Sequence, residues 1–209
     1  MGTTERKERQ KAELRERILK AAREVVVDEG FGSLTIRRLA AAIEYAPGTI
    51  YLYFRNREEI ARQLCIQGYQ ELLTFMEPAA AITDPLKRLA ALLEAYAHFG
   101  MEHPETYRLI FMSEPKFAQA VFENAPIDAP ETGGRRAFGF IVGALNELKK
   151  QRRLTKSADT TRLAEVLWAC VHGVVSLKLT SPSYPATPTD TLVSTTVRTL
   201  FEGLPGLRQ

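Results

Sequence analysis

Apolar residues recur along most of the chain at the three- and four-residue spacing that places them on one face of an α-helix. Leu14, Ile18, Ala22 and Val25 begin this pattern and predict an amphipathic helix ending at Gly30, after a charge-alternating helical segment over residues 4–17. Further stripes predict helices over residues 57–78, 85–101, 104–111, 116–123, 135–153, 159–179 and 190–203. Residues 124–134 and 180–188 are predicted loops. No alternating strand pattern intervenes, so the predicted fold is all-α.

The stretch from Phe31 to Arg57 predicts two short helices joined by a tight turn. Thr35 is placed to cap the first helix, whose buried face includes Leu39. Residues 44–46 form the predicted turn. A second helix of about two turns follows from Pro47 to Phe54, because a proline at the first helical position loses no hydrogen bond.

This second helix is too short to be stable alone, so Ile50 and Phe54, four apart, are expected to hold it against the first. The side chains left pointing outward are Thr49, Tyr51 and Tyr53, followed by Arg55 and Arg57. Short polar and aromatic tips beside cations suit a helix that enters a DNA major groove and grips the flanking phosphates. Spacing alone leaves open a helical interaction or carrier module that uses the two helices for packing only.

A family resemblance lies in T-I-R-R-L-A from Thr35, A-P-G-T-I-Y-L-Y-F from Ala46 and R-N-R-E-E-I from Arg55. These residues resemble the helix-turn-helix of the TetR (tetracycline-repressor-like) regulators, over roughly Arg17 to Leu64. The resemblance implies a three-helix DNA-binding domain at residues 1–57 and a helical ligand-binding and dimerisation domain at residues 58–209. The DNA-binding residues are predicted to be Thr35, Arg37, Arg38, Pro47, Gly48, Thr49, Tyr51, Tyr53, Arg55 and Arg57. Of these, Arg37 and Thr49 are expected at base edges, and Tyr51, Tyr53 and Arg57 at phosphates.

The turn departs from the family's pattern, in which glycine, a small apolar residue and serine are usual. Glu44, Tyr45 and Ala46 stand there instead. If Glu44 adopts the left-handed conformation, the strain is about 1 kcal/mol, which a packed domain tolerates. Pro47 replaces a residue that is often lysine or polar in relatives, which removes one phosphate or base contact.

Positive charge is concentrated in the same stretch. Residues 1–57 hold twelve Lys or Arg against eight Asp or Glu, whereas the remainder of the 209 residues holds sixteen against seventeen. Contacts to DNA phosphates require such an excess. An apolar content of 45% and a charged content of 25% are otherwise ordinary for a soluble globular protein.

The reactive residues do not indicate catalysis or a metal site. Cys65 and Cys170 lie in apolar helical patterns and are expected to be reduced core residues. Cys170 and His172 are two apart on one helix, so they point in different directions and cannot pair as nucleophile and base. Glu94 and His98 could share a helix face but lack further metal ligands. We therefore expect no enzyme activity, no metal and no cofactor.

A cytoplasmic protein without a membrane contact is expected. The sequence opens on charged residues rather than on the apolar run of a signal peptide. The longest nearly apolar stretch, Val166 to Leu177, is 12 residues, which is short of the ~20 that span a bilayer.

The helix over residues 159–179 is apolar on nearly all sides, which a second copy of the chain would bury. With the last helix it is expected to form half of an intersubunit four-helix bundle in a homodimer. The run W-A-C-V-H-G from Trp168 to Gly173 resembles a tryptophan-x-x-x-histidine-glycine branch of the TetR family.

Aromatic side chains are frequent in the second half of the chain and fit the apolar inducer cavity that the resemblance implies. The ligand-binding residues are predicted to be Tyr69, Tyr96, Phe99, Tyr107, Phe111, Phe138, Trp168 and His172. Taken singly, each of them more readily fills a core. The predicted function is that of a TetR-family transcriptional regulator, a repressor released from a palindromic double-stranded DNA operator by a small, largely apolar effector that moves the connecting helix.

Overall fold

A computed structural model of the chain describes residues 3–112, 133–181, 183–204 and 206. Among these residues it contains helices and no strand, which confirms the all-α prediction. The helices are α1 (Thr3–Glu29), α2 (Ile36–Ala42), α3 (Pro47–Tyr51), α4 (Arg57–Ala80), α5 (Pro85–Glu102), α6 (Pro104–Phe111), α7 (Gly133–Lys150), α8 (Thr160–Thr180) and α9 (Thr189–Glu202). A 3₁₀ turn, Phe31–Ser33, follows α1. The predicted helix over residues 116–123 lies outside the described residues.

Three helices begin at a capping side chain, and the first of these caps, Thr35, is the one predicted above. Thr35 accepts a hydrogen bond of 3.2 Å from the backbone N–H of Arg38 and starts α2. Asp84 accepts two such bonds, at 3.0 and 2.8 Å, ahead of Pro85 at the start of α5. Asp159 accepts one at 3.1 Å and starts α8. Each side chain satisfies backbone donors that the first helical turn leaves without an intrahelical acceptor.

The predicted bounds of α3 and α7 are wrong, whereas α4 ends within two residues of its predicted end. α3 ends at Tyr51 rather than near Phe54, because the next two backbone N–H groups bond three residues back, as in a 3₁₀ turn. α4 continues through Pro78 to Ala80, where the missing N–H of the proline affects only the last turn. Gly133 and Gly134, predicted to end a loop, form the first turn of α7, while the rest of that loop lies outside the described residues.

Two helices end with a non-glycine residue in the left-handed conformation. Glu44 has φ 61°, and the N–H groups of Glu44 and Tyr45 bond back to the carbonyls of Ala41 and Ala40. This is the Schellman arrangement, which satisfies two free carbonyls at the end of α2. Arg152, with φ 59°, ends α7 in the same way. The left-handed conformation considered for Glu44 from the sequence is therefore confirmed.

Contacts divide the chain into two units, which hold the described residues of 1–69 with 105–125 and those of 70–104 with 126–209. The first unit contains α1, α2, α3, the start of α4 and α6. Its core includes Ile18, Leu39, Ile50, Phe54, Ile60 and Leu64. α6 crosses α4 at Gly68, where an added Cβ would lie 2.6 Å from Ile110 Cγ2. The predicted domain boundary after Arg57 stays a prediction, since a compact unit need not coincide with a functional domain.

The second unit contains the end of α4 together with α5, α7, α8 and α9. Its core includes Leu89, Leu93, Ile141, Leu145, Leu167, Val171, Val193 and Val197. α8 packs against α5, α7 and α9, but one of its two apolar faces stays open, with Val166 48% and Leu177 49% exposed. By length and composition only, α8 is the one helix in the described part of the chain that could cross a membrane. Because it packs on three helices of a globular unit, this composition equally fits a core or interface helix.

Candidate nucleic-acid interface and effector site

The short helix α3 has one buried face and one face exposed to solvent. Ile50 and Phe54 are buried and α3 contacts α2, in keeping with the predicted packing of α3. Tyr51 is 58% exposed, while Thr49 and Tyr53 are half-buried with part of each side chain at the surface. The face of α3 that is predicted to contact DNA, which we call the reading face, is therefore accessible from solvent. Pro47 and Gly48, both exposed, form the first turn of this helix.

Leu52 belongs to the same surface and was not among the predicted DNA contacts. It follows α3 in a helical conformation, three residues after Thr49, so it lies on the same face. Its side chain is 75% exposed. Helical spacing from Thr49 is the signal in the sequence that identifies it.

The cations of α2 are not equivalent. Arg37 is exposed, whereas the Arg38 guanidinium forms a two-pronged ion pair with the Glu29 carboxylate at the end of α1, with Arg38 Nη1 2.6 Å from Glu29 Oε2. The hydrogen bond from Arg38 is the main reason that the pKa of Glu29 lies below its ordinary value. Arg38 is thus already neutralised by a carboxylate at the place where it is predicted to meet DNA. Thr35 is exposed and occupied as the helix cap.

The two arginines after α3 are arranged by the start of α4. The Glu59 carboxylate accepts the backbone N–H of Arg55 at 2.7 Å, and the Glu59 N–H donates to Asn56 at 2.9 Å, an arrangement close to a capping box. The Arg55 side chain is left exposed. Arg57 Nε lies 2.9 Å from Glu58 Oε1, so its charge is partly compensated.

Two arginines of α1 bracket α3. The Arg15 guanidinium lies 5.0 Å from the centre of the Phe54 ring, and Arg17 lies 5.5 Å from that of Tyr45. Arg17 also donates to the carbonyl of Ile43 at 3.3 Å. Cation–π contacts of this kind contribute about 0.5–1 kcal/mol at exposed sites. They fix where α1 passes the helix-turn-helix.

The eight predicted ligand-binding residues are divided between the two units, and each group is described within its own unit. Tyr69, Tyr107 and Phe111 belong to the first unit, where the Phe111 ring lies 5.8 Å from Tyr69 and 4.9 Å from Tyr107. Tyr69 is buried and donates to the carbonyl of Ile110 at 3.4 Å, and burial raises the pKa of its hydroxyl. Tyr107 is buried as well, so these two rings fill the core of the first unit.

A second aromatic group joins α5 to α7 and α8 inside the second unit. The Tyr96 hydroxyl lies 2.9 Å from His172 Nδ1, and His172 Nε2 lies 3.3 Å from the Ser176 hydroxyl. The Trp168 ring lies 5.6 Å from the His172 ring and 6.5 Å from that of Phe138. Burial lowers the pKa of His172, which keeps the imidazole neutral at pH 7. A neutral imidazole between two hydroxyls can both donate and accept a hydrogen bond.

The last predicted residue, Phe99, is buried against Phe75 and His103, with ring centres 5.6 and 5.7 Å away. A separate groove of about 590 Å³ runs between α5 and α9, and none of the eight predicted residues lines it. Glu94 and His98 lie along this groove, but no group of three or more metal-ligating side chains occurs among the described residues. Both cysteines are free, and burial raises the pKa of the Cys65 thiol to about 12.

The two short helices α2 and α3, with a buried contact between them, an exposed aromatic face on α3 and arginines after it, are typical of a helix-turn-helix protein. The family model described as "Bacterial regulatory proteins, tetR family" matches residues 18–64, and that described as "Tetracyclin repressor-like, C-terminal domain" matches residues 89–200. The chain therefore belongs to the TetR family, a family of DNA-binding regulators rather than of enzymes. The tryptophan-x-x-x-histidine-glycine branch within it stays a prediction.

Relatives agree with this assignment. An uncharacterized HTH-type transcriptional regulator of Haemophilus influenzae is 32% identical over 75 residues, 36% of this chain and 40% of the relative. The transcriptional regulator UidR of Escherichia coli is 33% identical over 69 residues, 32% of this chain and 35% of UidR. The matches thus span less than half of each curated relative.

Solved structures share the fold over nearly the whole chain. A protein of unknown function from Rhodococcus sp. RHA1 has a TM-score of 0.71 at 24% identity, over 91% of this chain and 95% of that one. The regulator FadR of Bacillus subtilis, in complex with stearoyl-CoA, has a TM-score of 0.70 at 16% identity, over 92% and 99%. At these identities the likeness is one of fold.

Proposed function

We propose that this chain is a transcriptional regulator that binds a palindromic DNA operator as a homodimer and is released from it by a small, largely apolar effector. The observation that carries the proposal is the open face of α3, with Thr49, Tyr51 and Tyr53 at the surface. Arg37 and Arg55 extend this face as exposed cations. A regulator that acts on a bacterial chromosome works in the cytoplasm.

A mobility-shift titration of duplex DNA tests the DNA-binding part. Arg37→Ala removes an exposed cation of α2, and Tyr53→Phe removes one hydroxyl, so both are expected to weaken operator binding while leaving the fold intact. Arg135→Ala, an exposed arginine of α7 in the second unit, is the control and should bind as wild type does. Wild-type affinity in both test variants would count against the interface. A wild-type protein without salt-dependent duplex binding would favour the packing-only alternative.

Leu52 gives the interface an apolar contact that suits the 5-methyl group of thymine in the major groove. Replacing single thymines of the operator by uracil removes only that methyl group. At one position in each half-site, uracil is expected to weaken wild-type binding by roughly 1 kcal/mol, about fivefold. The same replacement should change the affinity of Leu52→Ala much less. Equal losses in both proteins would show that Leu52 does not read a methyl group.

The open face of α8 supports the homodimer. Leu163, Val166, Cys170, Gly173 and Leu177 follow one another at intervals of three and four residues, which is the spacing of a helix–helix seam, and none of them is buried in the single chain. A second copy would cover this stripe.

Val166→Glu is expected to give a monomer in analytical ultracentrifugation and to lose cooperative binding to a two-half-site operator. Tyr184→Glu introduces the same charge at an aromatic residue that is 74% exposed but lies outside α8, and this variant should stay dimeric. A wild-type monomer, or a dimer unaffected by Val166→Glu, would contradict the assignment of this face.

The Tyr96–His172–Ser176 chain is the part of the predicted effector site that combines polar groups with aromatic surroundings; Tyr96 is buried, while His172 and Ser176 are half-buried. FadR of Bacillus subtilis, which shares the fold, is described with stearoyl-CoA. We therefore use stearoyl-CoA and stearate as first probes, and expect either to displace the wild-type protein from DNA. Tyr96→Phe should shift the half-maximal concentration, whereas Tyr184→Phe should not. Displacement that is identical in all three proteins would exclude Tyr96 from the effector site.

A further inference from the structure

α1 extends well past the part of the first unit that it helps to bury. Residues 18–26 supply its buried side chains, and Arg15 and Arg17 contact the residues on either side of α3. Residues 5–13 lie beyond that point, remain helical and are all exposed. At 1.5 Å per residue, the segment from residue 3 to residue 14 is about 18 Å long. We call this segment the projection. Its side chains over residues 5–13 bury none of the core of the first unit.

The charges of the projection are sorted by side. Lys7, Lys11 and Arg15 lie four apart, in a stripe that continues into the buried face at Ile18. At 100° per residue, Glu5, Glu13 and Glu16 fall more than about 100° away from Lys11, and only Glu8 flanks the stripe. The opposite side carries Arg9, which is paired with Glu13 at 3.6 Å. We call the side with Lys7, Lys11 and Arg15 the inner side, because it is in line with the buried face of α1, and the opposite side the outer side. Carboxylates compensate the cations of the outer side, while the inner side is cationic.

Of the three cations in this stripe, Arg15 lies beside the residues that follow α3. The Arg15 guanidinium lies over the ring of Phe54 and 3.8 Å from the Glu16 carboxylate. These contacts fix the end of the stripe that is nearest to the helix-turn-helix. Within the described residues, neither Lys7 nor Lys11 makes a hydrogen bond or an ion pair. Both ammonium groups are therefore available to an external anion.

We propose that Lys7 and Lys11 bind phosphates of the DNA that flanks the half-site read by α3. The inference rests on the proposed DNA-binding function and extends the footprint along the duplex. Lys7 lies about 12 Å beyond Arg15 along the helix axis. This distance corresponds to about three base pairs of duplex, at 3.4 Å each. The contact adds affinity without base reading, since phosphates carry no sequence information.

The test compares two double variants that change the same charge on the same helix. Lys7→Gln/Lys11→Gln neutralises the inner stripe, and Arg9→Gln/Lys20→Gln neutralises two cations on the opposite, exposed side. Loss of two phosphate contacts should make the slope of log K against log salt shallower by about 1.8 for each DNA-bound protomer. Between 50 and 200 mM salt, the variant should therefore lose about tenfold less affinity per protomer than the wild type does. The control pair should keep the wild-type slope. Circular dichroism of all proteins checks that α1 stays helical.

Operator length supplies a second readout. On a duplex trimmed to the half-sites, the inner variant and wild type should bind with equal slopes, because the flanking phosphates are gone. Equal slopes on the long duplex, or equal losses in both double variants, overturn the inference while leaving operator binding in place. A wild-type protein that binds no duplex at all overturns the proposed function itself and this inference with it.

Discussion

The crossing of α4 and α6 makes a sharp prediction at Gly68. A Cβ added there would lie 2.6 Å from Ile110 Cγ2 and 3.1 Å from Thr106 Cγ2, well inside ordinary contact distance. Alanine in place of glycine within a helix normally stabilises by roughly 0.5–1 kcal/mol. Overpacking of a tight core contact costs about 1–3 kcal/mol. Both close neighbours are on β-branched side chains, which are stiff, so we expect the overlap to win and Gly68→Ala to destabilise by roughly 1–2 kcal/mol.

Urea unfolding followed by circular dichroism measures this difference. Gly139→Ala on α7 is the matched control, because nothing lies within 4 Å of its added Cβ, and it should stabilise by roughly 0.5–1 kcal/mol. A double-mutant cycle with Ile110→Ala, which removes the clashing methyl group, should show that Gly68→Ala costs less in the trimmed background. If Gly68→Ala stabilises as Gly139→Ala does, the close crossing of α4 and α6 is wrong.

Three further predictions concern helix ends and charges. Glu44→Gly should relieve left-handed strain and stabilise by about 0.5–1 kcal/mol, a rise of roughly 1–4 °C in Tm, and Arg152→Gly should behave alike in the same thermal scan. Glu29→Gln should free Arg38 for phosphate and steepen the salt slope of DNA binding by up to about 0.9 per head. The N–H of Lys87 and then the Arg153 guanidinium hold the pKa of Asp84 below its ordinary 3.8, so its charge stabilises the fold above that pH. The stability gap between wild type and Asp84→Asn should therefore be constant near neutral pH and close as pH falls through the lowered pKa in an acid titration.

The boundaries of the helix-turn-helix were predictable because each rests on a local signal. Thr35 caps α2, Pro47 starts α3, and Asn56 precedes α4, and each acts through backbone groups within three residues. The early end of α3 was missed because it depends on 3₁₀ hydrogen bonds that Tyr51 and its neighbours do not specify by residue type. Sequence spacing predicts which face a helix buries better than where its last turn tightens.

The grouping of the aromatic residues could not be derived in the same way. Tyr69 and Tyr107 both pack on Phe111 because α6 crosses α4 at Gly68, a contact between residues about forty apart in the chain. The periodic pattern shows that each ring points inward, but not which core it enters. The pairing of Tyr96 with His172 likewise spans 76 residues. The family resemblance predicted an apolar cavity, whereas the structure assigns Tyr69, Tyr107 and Phe111 to the first unit and the other five residues to the second.

The number of cations without a carboxylate partner sets the salt dependence expected for the helix-turn-helix alone and for the helix-turn-helix together with the projection. Among the candidate cations of the helix-turn-helix, Arg38 and Arg57 are paired with Glu29 and Glu58, which leaves Arg37 and Arg55 as exposed guanidinium groups. Even when Arg37, which is expected at a base edge, is counted with Arg55 as a phosphate contact, two contacts per protomer give a dimer a salt slope of about −3.6, and two more per protomer from the projection give about −7. The wild-type slope therefore discriminates between the two footprints before any residue is changed. A slope near −3.6 would confine phosphate binding to the helix-turn-helix, because lysines that touch phosphate must release counterions.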